Sequence, residues 1–479
     1  MTLHLDPIIT GVAAPQESLQ VTSPYDLQTI GSVGVSGEDH VKAALATASE
    51  RYRNRAGWLS KAQRKTVLLQ LAQLMETHFD DLAMLAAMEG GKPLQDSQVE
   101  VRRAIEGVHL CVEAMQTLTG SVVPMQLNAA SANKYAFTQW EPIGVVVAVS
   151  AFNHPINLIV HQVAPAIAAG CPVIVKPAAT TPLSCFKFVN MLGEAGLPAG
   201  WCQCLLTKDN AVAEMLVTSP DVAFFSFIGS PAVGWMLRSK LSPGTRCALE
   251  HGGAAPLVAA RDCDIDQLIG KVLKGGFYHA GQVCVSVQRV FVDKAIADTF
   301  VNGLVARASS LIVGDPTDDK TEVGPLITPA EVDRVDTWVK QAVEQGAELL
   351  LGGDKLTETL YRPTVLLNPS QQSLVSQKEI FGPVVCVYEY TDIDAAVALA
   401  NSLPFAFQAS VFTRSIDTAM KAFQALDATA VMVNEHTAFR VDWMPFAGLR
   451  QSGLGVGGIE HTFRDMQIEK MMVIHSDEI

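Results

Sequence analysis

Strand-like and helix-like runs alternate regularly over residues 143–252, and few folds accommodate that order. Runs rich in Val, Ile, Phe and Cys at 143–152, 172–177, 202–206, 222–228 and 247–250 read as strands. Helical spacing fills the gaps at 155–169, 182–194, 211–218 and 231–239. Strands separated by whole helices cannot pair as hairpins. They build a parallel sheet with helices on both faces, and such a sheet takes ligands at the carboxyl ends of its strands. Residues 255–435 repeat the alternation, with helices near 265–275, 295–310, 329–345, 392–401 and 416–426 and strands near 287–292, 384–388, 409–413 and 430–433. The expected fold class is α/β, with two doubly wound, mostly parallel Rossmann-like units.

The segment before the first unit is different. Residues 1–35 are irregular with short β-like pieces, and helical spacing begins with Val41, Ala44, Leu45 and Ala48. Ser60 opens a second helix with Val67, Leu68, Leu71, Leu74 and Met75 on its apolar face, stopped near Met88 by Gly90-Gly91-Lys92-Pro93. A third helix runs from Val99 to about Thr117 and carries Arg102 and Arg103. The tail 467–474 is β-like.

At 479 residues and 49% hydrophobic, the chain can bury several cores. A net charge of −14 argues against nonspecific nucleic-acid binding. No apolar run is long and uncharged enough for a membrane span, and the N-terminus lacks a basic region followed by an apolar one. Nine scattered cysteines point to a reducing compartment, so a cytoplasmic location is expected. Cys202 and Cys204 sit in an apolar run without further ligand residues nearby and read as core fillers; no metal site is expected.

Two glycine-flanked reactive side chains stand out: Glu250 in Glu250-His251-Gly252-Gly253 and Cys284 in Gly281-Gln282-Val283-Cys284. A thiolate attacks a carbonyl carbon, and a carboxylate of raised pKa takes a proton and activates water. By themselves a Cys and a Glu near glycines are common, and a buried Cys is usually an inert hydrophobe. No Gly-x-Gly-x-x-Gly follows the first strand, so the usual dinucleotide fingerprint is absent.

These motifs resemble those of the aldehyde dehydrogenase superfamily. Glu250-His251-Gly252-Gly253 is similar to its Glu-Leu-Gly-Gly, and Gly281 to Cys284 with Arg289 is similar to its Gly-Gln-x-Cys-x-x-x-x-Arg. Four further stretches match: Phe152-Asn153-His154-Pro155, Lys176-Pro177-Ala178-Ala179, Phe227-Ile228-Gly229-Ser230 with Gly234, and Glu379-Ile380-Phe381-Gly382-Pro383. Pro445-Phe446-Ala447-Gly448 with Ser452-Gly453 is similar to a seventh.

The resemblance implies an NAD- or NADP-dependent oxidation of a small aldehyde to its acid through a cysteine thiohemiacetal and thioester. Cys284 would be the nucleophile, Glu250 the base, and Asn153 with the Cys284 backbone N–H the oxyanion donors. Lys176, Gly229, Ser230, Glu379, Phe381 and Phe152 would hold the dinucleotide. The family's ribose-binding Glu is Ala179 here, which removes repulsion against a 2′-phosphate and implies that NADP is accepted.

On the substrate side, Arg440, His154 (where the family has Phe), Arg103 and Phe446 would favour a small polar or anionic aldehyde. This is the pattern of the subgroup acting on lactaldehyde, succinate semialdehyde, sulfolactaldehyde and phosphonoacetaldehyde. The plainer alternative is that Arg440 pairs with Asp442 or Glu435 and only holds its loop. His251, where the family has Leu, is given no role.

The resemblance also implies a division of the chain. Residues 1–122 and 143–249 would form a cofactor-binding unit and 250–445 a catalytic unit. An arm of 123–142 and 463–479 would join copies into a homodimer or homotetramer. Two other functions compete: a CoA-acylating relative, disfavoured because Glu250 is present, and a retired structural homologue, disfavoured because every reactive position is filled.

Overall fold

The computed structural model describes residues 3–478. Its first large sheet has six strands in the order Gly453–Leu454, Arg246–Glu250, Val222–Ile228, Val145–Val149, Val173–Lys176, Cys202–Cys204. All neighbours run parallel except the short Gly453–Leu454, which pairs antiparallel with Arg246–Glu250. Strands here are buried on both faces, which is why they read as continuous apolar runs rather than alternating ones.

The second sheet has seven strands: Glu348–Leu351, Thr364–Leu367, Val384–Tyr390, Val287–Asp293, Ala255–Ala259, Gln408–Phe412 and Ala430–Val433, again parallel apart from the edge strand Glu348–Leu351. Three of these strands (Ala255–Ala259, Glu348–Leu351 and Thr364–Leu367) are not visible from pattern. Ala255-Pro256 opens the first with poor strand formers, and the other two are four-residue pieces between glycine- and proline-rich turns.

The single helix expected from Ser60 to Met88 is two. Ser60 caps Lys61–Thr77 through its side chain, and the chain turns at His78 before Phe79–Gly90. The break redirects the second piece so that Leu82, Ala83, Ala86 and Ala87 enter the core. The third helix is longer than its apolar spacing indicated, Leu94–Thr117.

Gln467–His475 pairs antiparallel with Lys134–Pro142, which pairs with Val122–Val123. This small sheet leaves Met471, Met472, Val473 and Ile474 exposed. Just before it, the helix Ile459–Asp465 places Ile459 and Phe463 in the core around the six-stranded sheet. Among the described residues no helix is long and apolar enough to cross a membrane.

Two buried carboxylates tie helix starts to the carboxyl edge of the six-stranded sheet. Glu100 accepts from the backbone N–H of Ile156 (2.9 Å) and Asn157 (3.0 Å), at the start of Asn157–Ala169, and pairs with the equally buried Lys92. Glu89 accepts from Leu183 and Ser184 N–H, both at 2.8 Å, at the start of Leu183–Glu194. A carboxylate satisfies orphan amides and complements the helix dipole there. Of the two loops so fixed, one carries Asn153 and the other follows directly on Lys176 at the end of Val173–Lys176.

Candidate active site

A cavity of about 660 Å3 opens at the carboxyl edge of the six-stranded sheet and runs to the facing edge of the second unit. Cys284, Glu250 and Asn153 all line it.

Cys284 follows an unusual piece of backbone. His279, Ala280 and Gly281 take φ of 48°, 53° and 72°, three consecutive left-handed residues. Such strain persists only where surroundings enforce it. At Gly281 a Cβ would lie 2.1 Å from the Gly382 carbonyl, so no other residue fits. Gln282 locks the turn from the other side: its amide donates to Pro325 O (3.1 Å) and its Oε1 accepts from Ile327 N–H (2.9 Å). The Gln282 carbonyl in turn accepts from Asn153 Nδ2 at 3.0 Å. The Asn153 amide is thereby aimed, with its second N–H free of that bond.

Burial pushes the Cys284 thiol up to about 12; the Arg440 charge opposes this, and Glu379 and Glu250 add to it. Glu250 is raised from the ordinary carboxyl value by burial, with Arg440 again opposing. The site therefore holds a thiol, a proton-accepting carboxylate and one cation in mutual electrostatic contact.

The dinucleotide candidates divide. Phe152, Gly229, Ser230, Glu379 and Phe381 line the cavity; Lys176 and Ala179 do not, though their neighbour Ala178 does. Lys176 is half-buried at the end of its strand, and Ala179 is exposed. Ser230 precedes the helix Pro231–Ser239 with its side chain uncommitted to the cap, leaving a helix N-terminus suited to phosphate. Phe381 meets Phe152 edge-on, centroids 5.8 Å apart. Glu379 accepts from Gly253 N–H at 3.1 Å, and burial pushes it up to about 8. A Cβ on Gly252 would fall 1.6 Å from Glu379 Oε1, so glycine is required for this approach. A phosphate-binding helix start, an acceptor carboxylate and apolar rings along one groove are the donor and acceptor set a nicotinamide dinucleotide needs.

At the other end, Arg440, Arg103, His154 and Phe446 also line the cavity. Arg440 does not pair with Asp442 or Glu435. Asp442 accepts from Arg103 Nε (2.9 Å) and Nη2 (2.7 Å) and from His161 Nε2 (2.7 Å), while Glu435 pairs with Lys271. Arg440 instead lies over the Phe446 ring at 3.6 Å, and its Nε is buried without a partner. The Arg103 charge is matched by Asp442, so the cationic character of this end rests on Arg440.

His154 lies 3.3 Å from the Tyr278 hydroxyl. Tyr278 and His161 escape pattern reading, because nothing in the sequence distinguishes them from core and loop residues; Asp442 is legible only as a partner for Arg440, which it is not. Trp338 and Arg334, stacked at 4.6 Å on a distant helix, close the cavity and also lack a local signal. Arg289 is fully buried and donates to the Ala254, Leu399 and Ala400 carbonyls, tying the second sheet to the end of Ile393–Ala400 rather than entering the cavity. His251 Nδ1–H donates to Gly229 O (2.8 Å) beside Phe227 and Trp235.

Comparison with known proteins agrees with this geometry. A family model described as "Aldehyde dehydrogenase family" matches residues 12–472. The chain is 36% identical to 3-sulfolactaldehyde dehydrogenase of Priestia aryabhattai, over 96% of this chain and 95% of that one. It superimposes with a TM-score of 0.95, at 30% identity and 99% coverage of both chains, on aldehyde dehydrogenase 21 from Physcomitrella patens in complex with the reaction product succinate. A glyceraldehyde-3-phosphate dehydrogenase from Methanocaldococcus jannaschii, complexed with NADP, matches at TM-score 0.91 and 31% identity, over 96% of this chain and 99% of that one. With the motifs, the two sheets and the shared cavity in place, the chain belongs to the aldehyde dehydrogenase family and is an NAD(P)-dependent aldehyde dehydrogenase.

Proposed function

We propose that the enzyme oxidises a short aldehyde carrying one anionic group to the corresponding acid. The observation that carries this reading is Arg440: a buried guanidinium without a carboxylate partner, in the same cavity as Cys284 and Glu250. A free buried cation is costly unless an anion reaches it. Sulfolactaldehyde and succinate, the compounds named for two relatives, carry anionic groups of this kind, which supports the reading.

In the proposed reaction Cys284 loses its proton to Glu250, directly or through water, and its sulfur attacks the aldehyde carbon. The Asn153 amide and the Cys284 backbone N–H stabilise the oxyanion of the thiohemiacetal. When bound, NAD or NADP supplies the hydride acceptor. Phe152 and Phe381 would pack near its ring, Gly229 and Ser230 would hold the pyrophosphate, and Glu379 and Lys176 the riboses. Glu250, having passed the Cys284 proton to solvent, then takes a proton from water as that water attacks the Cys284 thioester, and returns it to the departing sulfur, releasing acid and free thiol. His154 and Arg103 shape the substrate end.

Replacing Arg440 with Leu should raise KM for a short carboxylate-bearing aldehyde by about 10- to 100-fold, the value of a charge-assisted hydrogen bond, and leave KM for propanal within about threefold. Equal effects on both would leave Arg440 a structural role only.

Ala179 leaves no carboxylate to repel a 2′-phosphate, so NADP is expected to serve at least as well as NAD. The ratio of kcat/KM for the two cofactors measures this; a preference for NAD of about 100-fold or more would refute it. The cofactor-binding unit is taken as 1–122 with 143–249 and the catalytic unit as 250–445. The exposed apolar strand Gln467–His475 and the sheet it forms are assigned as the arm that joins a homodimer or homotetramer. The enzyme is proposed to work in the cytoplasm, where nine unpaired thiols persist.

A further inference from the structure

Arg440 sits on a segment without regular secondary structure between Ala430–Val433 and Leu449–Arg450, so its loop alone does not fix the guanidinium. What reaches it is a chain of buried polar groups from a different part of the fold. Asp442 is fully buried and accepts four donated bonds, two from Arg103, one from His161 Nε2 and one from Asn157 Nδ2 at 3.3 Å. Burial alone would raise the Asp442 carboxyl, but the bonds from His161 and Arg103 outweigh it and hold Asp442 well below the usual carboxylate range.

An ionised Asp442 accepting at its Oδ1 requires the proton of His161 to sit on Nε2. The Arg440 guanidinium facing Nδ1 can only donate, so Nδ1 carries no proton and the ring is neutral; burial, and then the Arg440 charge, push His161 the same way, below the ordinary imidazole value. Its Nδ1 is then a bare acceptor, and Arg440 Nη2 lies 3.4 Å from it. No other hydrogen-bond contact to the Arg440 side chain exists among the described residues; the Phe446 face supplies the remaining support.

We infer that His161, fixed by Asp442, is a positioning residue that aims Arg440 at the substrate and so sets the preference for anionic aldehydes. The site asks for a side chain that donates at one end to a carboxylate and accepts at the other from a guanidinium. A neutral histidine does both; Lys and Arg have no acceptor, and an apolar residue has neither. His161 projects from Asn157–Ala169, whose start Glu100 ties down, so the aim of Arg440 is borrowed from a rigid helix of the other unit. Arg103 completes the frame by neutralising Asp442, which also explains why a second arginine at this end adds no second anion site.

The inference rests on the reading that Arg440 meets the substrate's anionic group, and the experiment separates the two. Steady-state kinetics would be measured on the full-length enzyme with saturating NADP, using propanal and a short aldehyde with a terminal carboxylate. His161→Phe, which keeps the ring volume, should raise KM for the carboxylate aldehyde by about tenfold and leave KM and kcat for propanal within about twofold.

His161→Gln retains one donor and one acceptor and should recover most of that loss. If His161→Phe does not fold, His161→Asn, too short to bridge Asp442 and Arg440, should give the same split. In the double variant with Arg440→Leu, the His161 change should add nothing further, because both act through one contact. If Arg440→Leu discriminates the aldehydes and the His161 variants do not, or if they slow both aldehydes alike, the positioning role is overturned while the substrate reading stands. If Arg440→Leu itself fails to discriminate, both fall.

Discussion

Substituting Cys284 with Ser should abolish reduction of NAD or NADP, with a loss of at least about 10^4-fold in kcat, while the protein remains folded. The expectation follows from chemistry and place. Serine is far harder to ionise, and burial already pushes even the thiol up to about 12. The structural cost should be small. Cys284 is only partly buried, at the margin of a small apolar cluster of Val283, Val285, Phe407 and Phe446.

The same value fixes the sign of the pH dependence. Below it the sulfur is a thiol, so the reactive thiolate becomes scarcer as pH falls. Glu250, whose pKa is raised by burial, also loses its capacity to take a proton in acid. Wild-type turnover should therefore rise with pH from acid through neutral solution. Retention of more than a few per cent of activity by Cys284→Ser would remove the nucleophile assignment.

Glu250→Gln is expected to separate the two halves of the reaction. Hydride transfer needs the sulfur adduct, whereas release of the acid needs an activated water. A single burst of about one NAD(P)H per active site should remain, followed by turnover reduced about 10^2- to 10^4-fold, the usual worth of a general base. The burst itself slows if Glu250 is the direct proton acceptor for Cys284, but its amplitude is kept. Added CoA should not restore turnover, and wild-type enzyme should make free acid without CoA. Full steady-state activity in the Gln variant, or a wild-type requirement for CoA, would transfer the deacylation step to another group.

How much of this was legible in the chain depends on what kind of physics fixed each part. The parallel sheets were, because strands buried on both faces must be apolar throughout and must be separated by helices. Short edge strands such as Glu348–Leu351 were not, since four residues leave no periodicity to detect. The Lys61–Thr77 and Phe79–Gly90 break was hidden because both pieces share an apolar repeat and the turn at His78 uses no Gly or Pro.

In the site, Cys284, Glu250, Asn153 and Glu379 stand in short contiguous motifs, and the structure gathers them around one cavity. Arg440 was legible as a charge in a loop near Phe446, but its freedom from Asp442 was not. That depends on Arg103 and His161 arriving from two helices hundreds of residues away and claiming the carboxylate first. Lys176 and Ala179 show the opposite case: their motif is clear, yet neither residue lines the cavity.

With Cys284 as nucleophile, its sulfur becomes acylated by the substrate in the course of hydride transfer. The most direct measurement is intact-protein and peptide mass spectrometry of Glu250→Gln after mixing with aldehyde and NADP. One adduct per chain is expected, with the mass of the substrate's acyl group, located on the peptide containing Cys284 and formed only when cofactor able to accept hydride is present. An adduct on another residue, or a burst of NADPH with no acylated protein, would contradict it.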